Sequence, residues 1–253
     1  MSKLSAVVVT LNEEANIADC LKSLSFADEI VVVDSQSVDS TIELARKFTD
    51  KVYQVRFEGY GKLKNNAAAK ASCDWVLSID ADERVSPQLA EEIVEVVRKN
   101  KSHSGYLLPR RTLFLGRWMM HGGWYPGHVL RLFRKDKGAF NDVLVHECVT
   151  VNGEVGKLKR DLLHYSDPDL KHYLSKLDKF TSLSAQSLYE KGRRAGIGDL
   201  LFRPAFMFLK MYFFKRGFLD GMPGLILSLL SAVHVLVKYV KLWEMWRTSR
   251  AQG

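Results

Sequence analysis

The sequence predicts an α/β fold: a doubly wound, mostly parallel sheet, followed by a helical segment of different composition. Three observations lead there. Apolar runs of strand length alternate four times with segments of helical periodicity over residues 4–97. The runs at 4–9, 30–33 and 75–79 each give way abruptly to polar residues, as strands do where they feed ligand-binding loops. Beyond residue 200 the chain becomes far more apolar and aromatic than before it.

Taken in order, residues 4–9 form a near-continuous apolar run, the mark of a strand buried on both faces. Asn12 is placed to cap the next helix, with Glu13 and Glu14 in its first turn, and Ile17, Cys20, Leu21 and Leu24 recur at helical spacing. Residues 30–33 make the second strand, closed by Asp34. Ser40 with Glu43 three residues on is a capping-box pattern opening a helix through Phe48. Residues 52–55 form a short third strand, and Gly59 and Gly61 interrupt the chain before an Ala-rich helix at 64–71. The fourth strand spans 75–80. Ser86 and Pro87 then open a helix that turns Leu89, Ile93, Val96 and Val97 inward.

Further strands are expected at 104–110, 128–134 and 162–165, with a hairpin turn at Asn152-Gly153 between 149–151 and 154–155. Residues 110–127 lack periodicity and hold Phe114, Trp118, Trp124, Tyr125 and four glycines. That composition suits either a pocket lining, with Trp124 offering an aromatic face to a sugar, or a packed loop. The strand at 128–134 alternates apolar and basic residues, which would carry Arg131 and Arg134 toward an anionic acceptor or a diphosphate.

The chemistry concentrates at Asp80, Asp82 and Glu83. Three carboxylates within four residues repel one another and are costly to desolvate, and a hard divalent cation would offset both effects. A strand ending in a solvated acidic turn is the alternative. No glycine-rich phosphate loop follows the first strand, so a metal held by carboxylates would have to carry any phosphates. The formal charge of +8, concentrated after residue 100, suits an anionic partner. No nucleic-acid-binding module accompanies it. Three cysteines without metal-like spacing read as free thiols, and the amino terminus enters the first strand with no signal-peptide pattern.

Residues 9–14, 33–41 and 79–83, in that order and spacing, resemble a family-2 inverting glycosyltransferase of the GT-A fold. Residues 59–67, 131–134 and 145–147 are most similar to the bacterial lipopolysaccharide-core branch. The resemblance implies that Thr10, Leu11, Asn12, Glu13 and Asp34 hold the nucleotide, with Asp80 near the ribose. Asp82 would coordinate Mg²⁺ or Mn²⁺ at the diphosphate of a sugar nucleotide, a UDP-sugar first of all, and His164 would be a further metal ligand. Direct displacement needs a carboxylate to take the acceptor's proton. Glu147 matches the family position, Asp142 is second and Glu83 third. Lys62 departs from the family's usual small residue or Gln there; it could reach a phosphate, but a surface lysine is the favoured reading. The alternatives are a catalytically inactive nucleotide-sugar-binding module and, on a related fold, a sugar-phosphate nucleotidyltransferase, whose glycine-rich first loop is missing here.

These readings divide the chain into a transferase domain at 1–168 and a helical region at 169–253. A long helix is expected at 171–191. Residues 221–237 carry no Asp, Glu, Lys or Arg, but at 17 residues, with Pro223 and Gly224 near their start, they sit at the short limit for a bilayer span. Trp243 and Trp246 with Lys238, Lys241 and Arg247 make an interfacial aromatic and basic flank. Helices lying in the membrane interface are therefore expected, attracted to anionic lipid on the cytoplasmic face of the inner membrane. Packing against one another, or in an oligomer, is the alternative use of the same apolar surface.

Overall fold

The computed structural model describes residues 2–99, 102–141, 148–167 and 169–251. The chain forms two compact units, one from residues 1–111 and 127–166, the other from 112–126 and 167–253.

In the first unit, β1 (Leu4–Thr10), β2 (Glu29–Asp34), β3 (Val52–Gln54) and β4 (Trp75–Asp80) are parallel, in the order β3-β2-β1-β4. The sheet continues through β8 (Gly127–Arg134), β6 (His103–Phe114), β12 (Leu162–Asp167) and β5 (Glu83–Val85). Here β8 runs antiparallel to β4, and β6 antiparallel to β8. The period of two along β1 explains why both faces are covered. Ala6 and Val8 join Leu77 and Ile79 in one core, roofed by α1 (Ile17–Ser23) and α4 (Pro87–Lys99). Val7 and Val9 join Val31, Val33 and Val76 in a second core, roofed by α3 (Tyr60–Lys70). Ser86 Oγ accepts the Leu89 N–H at 3.3 Å and starts α4 as expected.

Several local expectations are corrected. Asn12 does not cap a helix: it adopts a left-handed φ of 53°, a region Asn enters more readily than most residues, and α1 begins only at Ile17. The Ser40 side chain makes no cap bond, and α2 (Thr41–Ala45) is a single turn and a half that stops short of Phe48. Gly59, at φ 118°, rather than Gly61 breaks the chain, and Gly61 lies buried inside α3. No hairpin forms at Asn152-Gly153. The strand before it, β10 (Val149–Val151), pairs antiparallel with β9 (Gly138–Phe140), and the strand after it, β11 (Glu154–Lys157), joins β6 in parallel.

In the second unit, β6 runs on to Phe114 and pairs with β7 (Arg117–Trp118), where an irregular loop was expected. Helix α5 (Leu170–Glu190) is capped by Asp169, whose side chain accepts the His172 N–H at 2.7 Å. Helix α6 (Ile197–Leu209) has no buried residue and opens into a π turn (Lys210–Phe214), followed by a 3-10 turn (Gly217–Asp220). Helix α7 (Gly221–Ala251) is continuous. Pro223 lies in its first turn, where a missing N–H costs little, so it does not shorten the helix. By length and composition α7 could cross a membrane.

Candidate active site

Parallel pairing fixes what meets at the carboxyl edge of the sheet. The register sets Thr10 beside Asp34 and Val9 beside Asp80, so the three strand ends finish level although Asp34 and Asp80 lie 46 positions apart in the chain. The loops that leave β1 and β2 are tied together. The Asn12 N–H donates to Ser37 Oγ at 2.8 Å, Asn12 Oδ1 accepts the Val38 N–H at 2.9 Å, and the Glu13 N–H donates to Thr41 Oγ1 at 2.8 Å. Asp34 is fully buried and accepts the Ser37 N–H at 2.8 Å and the Ser37 hydroxyl. Leu11 projects from this pair of loops, 48% exposed. Beneath them the hydroxyls of Thr10 and Ser35 are buried with no hydrogen-bond partner among the described residues. Buried hydroxyls are ordinarily satisfied, and these two are exceptions.

At the end of β4 the carboxylates are not equivalent. Glu83 has no exposed surface; its Oε2 accepts the Asp80 N–H at 3.0 Å, and its Oε1 meets Arg131 at 2.9 Å and Arg110 at 3.3 Å. Both oxygens are engaged in holding the turn. Glu83 is thus a buried counter-ion and not a free base, which corrects its place as third candidate. Asp80 takes Lys64 Nζ at 2.9 Å on one oxygen and Arg131 on the other. Burial works against its charged form, and the Arg131 and Lys64 cations overcome that, holding the carboxyl well below the usual carboxylate range. Asp82 points elsewhere: its Oδ2 lies 3.3 Å from His164 Nε2, and its carbonyl accepts the Tyr165 N–H at 2.8 Å. The antiparallel pairing of β12 with β5, which sets His164 beside Glu83, brings the histidine there from 82 residues away.

Lys64 was not legible as a site residue; Lys62, open to a phosphate contact or a surface place with the surface place favoured, is an exposed partner of Glu58 at 3.6 Å. The signal for Lys64 was its place in the inward stripe of α3, with Gly61 and Ala67, where a lysine needs a buried carboxylate.

The chain's residues 5–153 match the family model for glycosyl transferase family 2. The chain belongs to glycosyl transferase family 2. It is 32% identical to the lipopolysaccharide core biosynthesis glycosyltransferase LpsC of Rhizobium meliloti, over 95% of this chain and 92% of that one. An uncharacterized glycosyltransferase of Rickettsia typhi is 29% identical over 99% of this chain and 90% of its own. Among solved structures, Staphylococcus aureus TarS 1-349 in complex with UDP covers 98% of this chain and 92% of that one, with a TM-score of 0.49 at 16% identity.

The remaining candidate residues of this family-2 chain are not all gathered at the strand ends. Arg131 is there, but buried and committed to Asp80 and Glu83. Arg134 is not: pairing sets it beside Trp75, at the opposite end of β4, where it faces Asp136 at 3.6 Å. The expectation that Arg134 reaches a diphosphate is corrected by one fact of geometry, that β8 runs antiparallel to β4 and takes its last residue away from Asp80. Trp124 lies in the second unit, edge-on to Phe114 at 5.8 Å, within a cluster that includes Met119 and Met211. Asp142 and Glu147 fall outside the described residues. The flanking Asn141 and Cys148 are joined by two bonds, Asn141 N–H to the Cys148 carbonyl at 3.0 Å and Cys148 N–H to Asn141 Oδ1 at 2.8 Å.

Proposed function

We propose that this family-2 transferase moves a sugar from a nucleoside diphosphate donor, first of all a UDP-sugar, to a lipid-linked or lipopolysaccharide-core acceptor, with inversion at the anomeric carbon. The observation that carries the reading is the level edge formed by Thr10, Asp34 and Asp80, with the Asp82–His164 pair beside it. Full-length similarity to a lipopolysaccharide core biosynthesis glycosyltransferase supports the acceptor class.

Thr10, Leu11, Asn12, Glu13 and Asp34 form the nucleotide end. Among the described residues no three His, Cys, Asp or Glu side chains converge to hold a cation by themselves. The Asp82–His164 pair nonetheless fits Mg²⁺ or Mn²⁺ at a transferase centre, since such a cation takes one or two protein ligands and completes its shell with phosphate oxygens and water. When bound there, the cation supplies charge stabilisation to the departing diphosphate. Asp80, neutralised by Lys64 and Arg131, is fitted to accept hydrogen bonds from a ribose. Its two cations keep it ionised and fix its direction.

Glu147 is assigned the removal of the acceptor's proton, with Asp142 as the second choice, and single displacement then inverts the centre. The basic, aromatic second unit is assigned to the membrane, lying on its cytoplasmic face rather than spanning it. A screen of sugar nucleotides with Mg²⁺ or Mn²⁺, read by nucleoside diphosphate release, tests the activity. One donor should be turned over in wild type and not by Glu147→Gln. Full activity of that variant would move the base to Asp142 or elsewhere.

A further inference from the structure

In the second unit, α6 and α7 enclose a groove of about 510 Å³, within the range of small-molecule sites. Its character is divided. Phe202 and Phe206, 74% and 61% exposed, form an apolar wall with buried Tyr239. Arg203, Lys210 and Lys238 stand among them, and no carboxylate lines the groove among the described residues. Two of the cations converge from opposite helices on one ring: Lys238 Nζ lies 4.7 Å and Arg203 Cζ 5.4 Å from the centre of Tyr239. Arg203 also pairs with Asp199, outside the lining. Asp199 also meets Arg193 at 3.5 Å, so it is shared between two arginines, one of them outside the groove.

We propose that this groove holds one anionic phospholipid, its phosphate between Arg203, Lys210 and Lys238 and its proximal chain along Phe202 and Phe206. The inference rests on the membrane reading of this unit and deepens it by naming a lipid class and a site. Three observations favour a lipid over other occupants. The lining pairs apolar and cationic halves, as the ligand pairs hydrocarbon and phosphate. A two-fold second copy seated on the groove would bring the same cations face to face. The exposed aromatics Phe213, Phe214 and Phe218 continue the apolar surface beyond the groove, which a free phosphate or a small anion has no use for.

The test uses the full chain. Wild type, Lys210→Gln/Lys238→Gln and a control, Lys171→Gln/Lys191→Gln, are compared in detergent by native mass spectrometry with added phosphatidylglycerol. They are also compared by sedimentation with phosphatidylcholine vesicles, with or without phosphatidylglycerol. Wild type and the control should retain one phosphatidylglycerol. The groove variant should lose it, its affinity reduced about tenfold or more, on the order of what two lysines near an anionic surface contribute. Sedimentation with neutral vesicles should not change, and glycerol 3-phosphate, which has no chains, should not compete. Lys210→Gln alone, at an exposed position, gives a variant whose fold is not at issue and should show a partial loss. Equal lipid retention by wild type and groove variant overturns the proposal, as does an equal loss in the control or a change of oligomeric state in the groove variant alone. Failure of wild type to sediment with any vesicle overturns the membrane reading itself.

Discussion

At the scale of single residues, the buried charges at the end of β4 make the sharpest demand. Glu83 is fully buried and depends on Arg131 and Arg110 for compensation, and Asp80 depends on Arg131 and Lys64. Removing one member of a buried ion network leaves the rest uncompensated, at about 3–5 kcal/mol. Arg131→Leu should destabilise the protein by about that much in chemical denaturation, whereas Arg134→Leu, which loses a 3.6 Å pair with exposed Asp136 and a cation–π contact with Trp75 at 5.8 Å, should cost no more than about 1–2 kcal/mol. A second residue governs acid stability. Burial opposes the charge on Glu29, but Lys51, Ser5 and Ser72 outweigh it and lower its carboxyl from the ordinary 4.5 to about 2. A carboxyl depressed by folding contributes stability above its unfolded value and loses it as the pH falls through the folded one. The urea midpoint should therefore drop between pH 5 and pH 2, and Glu29→Gln should show a shallower drop. Such roles were hidden in the sequence because a charged residue's worth depends on its partner. Glu83 and Asp82 are adjacent in the chain, yet one is sealed inside and the other faces His164.

At the scale of elements, strand positions were legible because buried parallel strands need long apolar runs, and β1, β2 and β4 fall where those runs lie. Helix starts and turns were less so. A local pattern such as Asn12 before two glutamates offers a cap, but the loop's bonds to Ser37 and Val38 take Asn12 instead. Asn152-Gly153 offers a hairpin turn, but β10 and β11 each find a better partner in another strand. Long-range pairing overrode local preference in both cases. In the second unit a similar tie is made by Asp220. Nearly fully buried, it accepts the N–H groups of Met120 and His121 at 3.1 and 2.8 Å and meets His121 Nδ1 at 2.9 Å. Asp220→Ala should release this loop. In hydrogen exchange, the amides of Met120 and His121 should lose protection while those of α5 keep theirs.

At the scale of the whole molecule, the net charge of +8 and the aromatic surface after residue 200 act together. On the proposed membrane reading, the basic residues would steer the chain toward anionic surface, and exposed aromatics such as Phe213, Phe214 and Phe218 would supply apolar area to bury there. Replacing these three by serine should lower sedimentation with neutral vesicles as well as anionic ones, unlike the loss of groove lysines. The central claim, however, concerns the edge of the parallel sheet: that Asp82, paired with His164, supports a cation and a nucleoside diphosphate beside Asp80. Calorimetric titration of UDP with and without Mn²⁺, on wild type and Asp82→Ala, addresses it most directly when joined to turnover of the screened donor. Mn²⁺ should strengthen UDP binding to wild type and not to the variant, whose turnover should fall by about 100-fold or more. Unchanged Mn²⁺-dependent binding and turnover in Asp82→Ala would contradict the account.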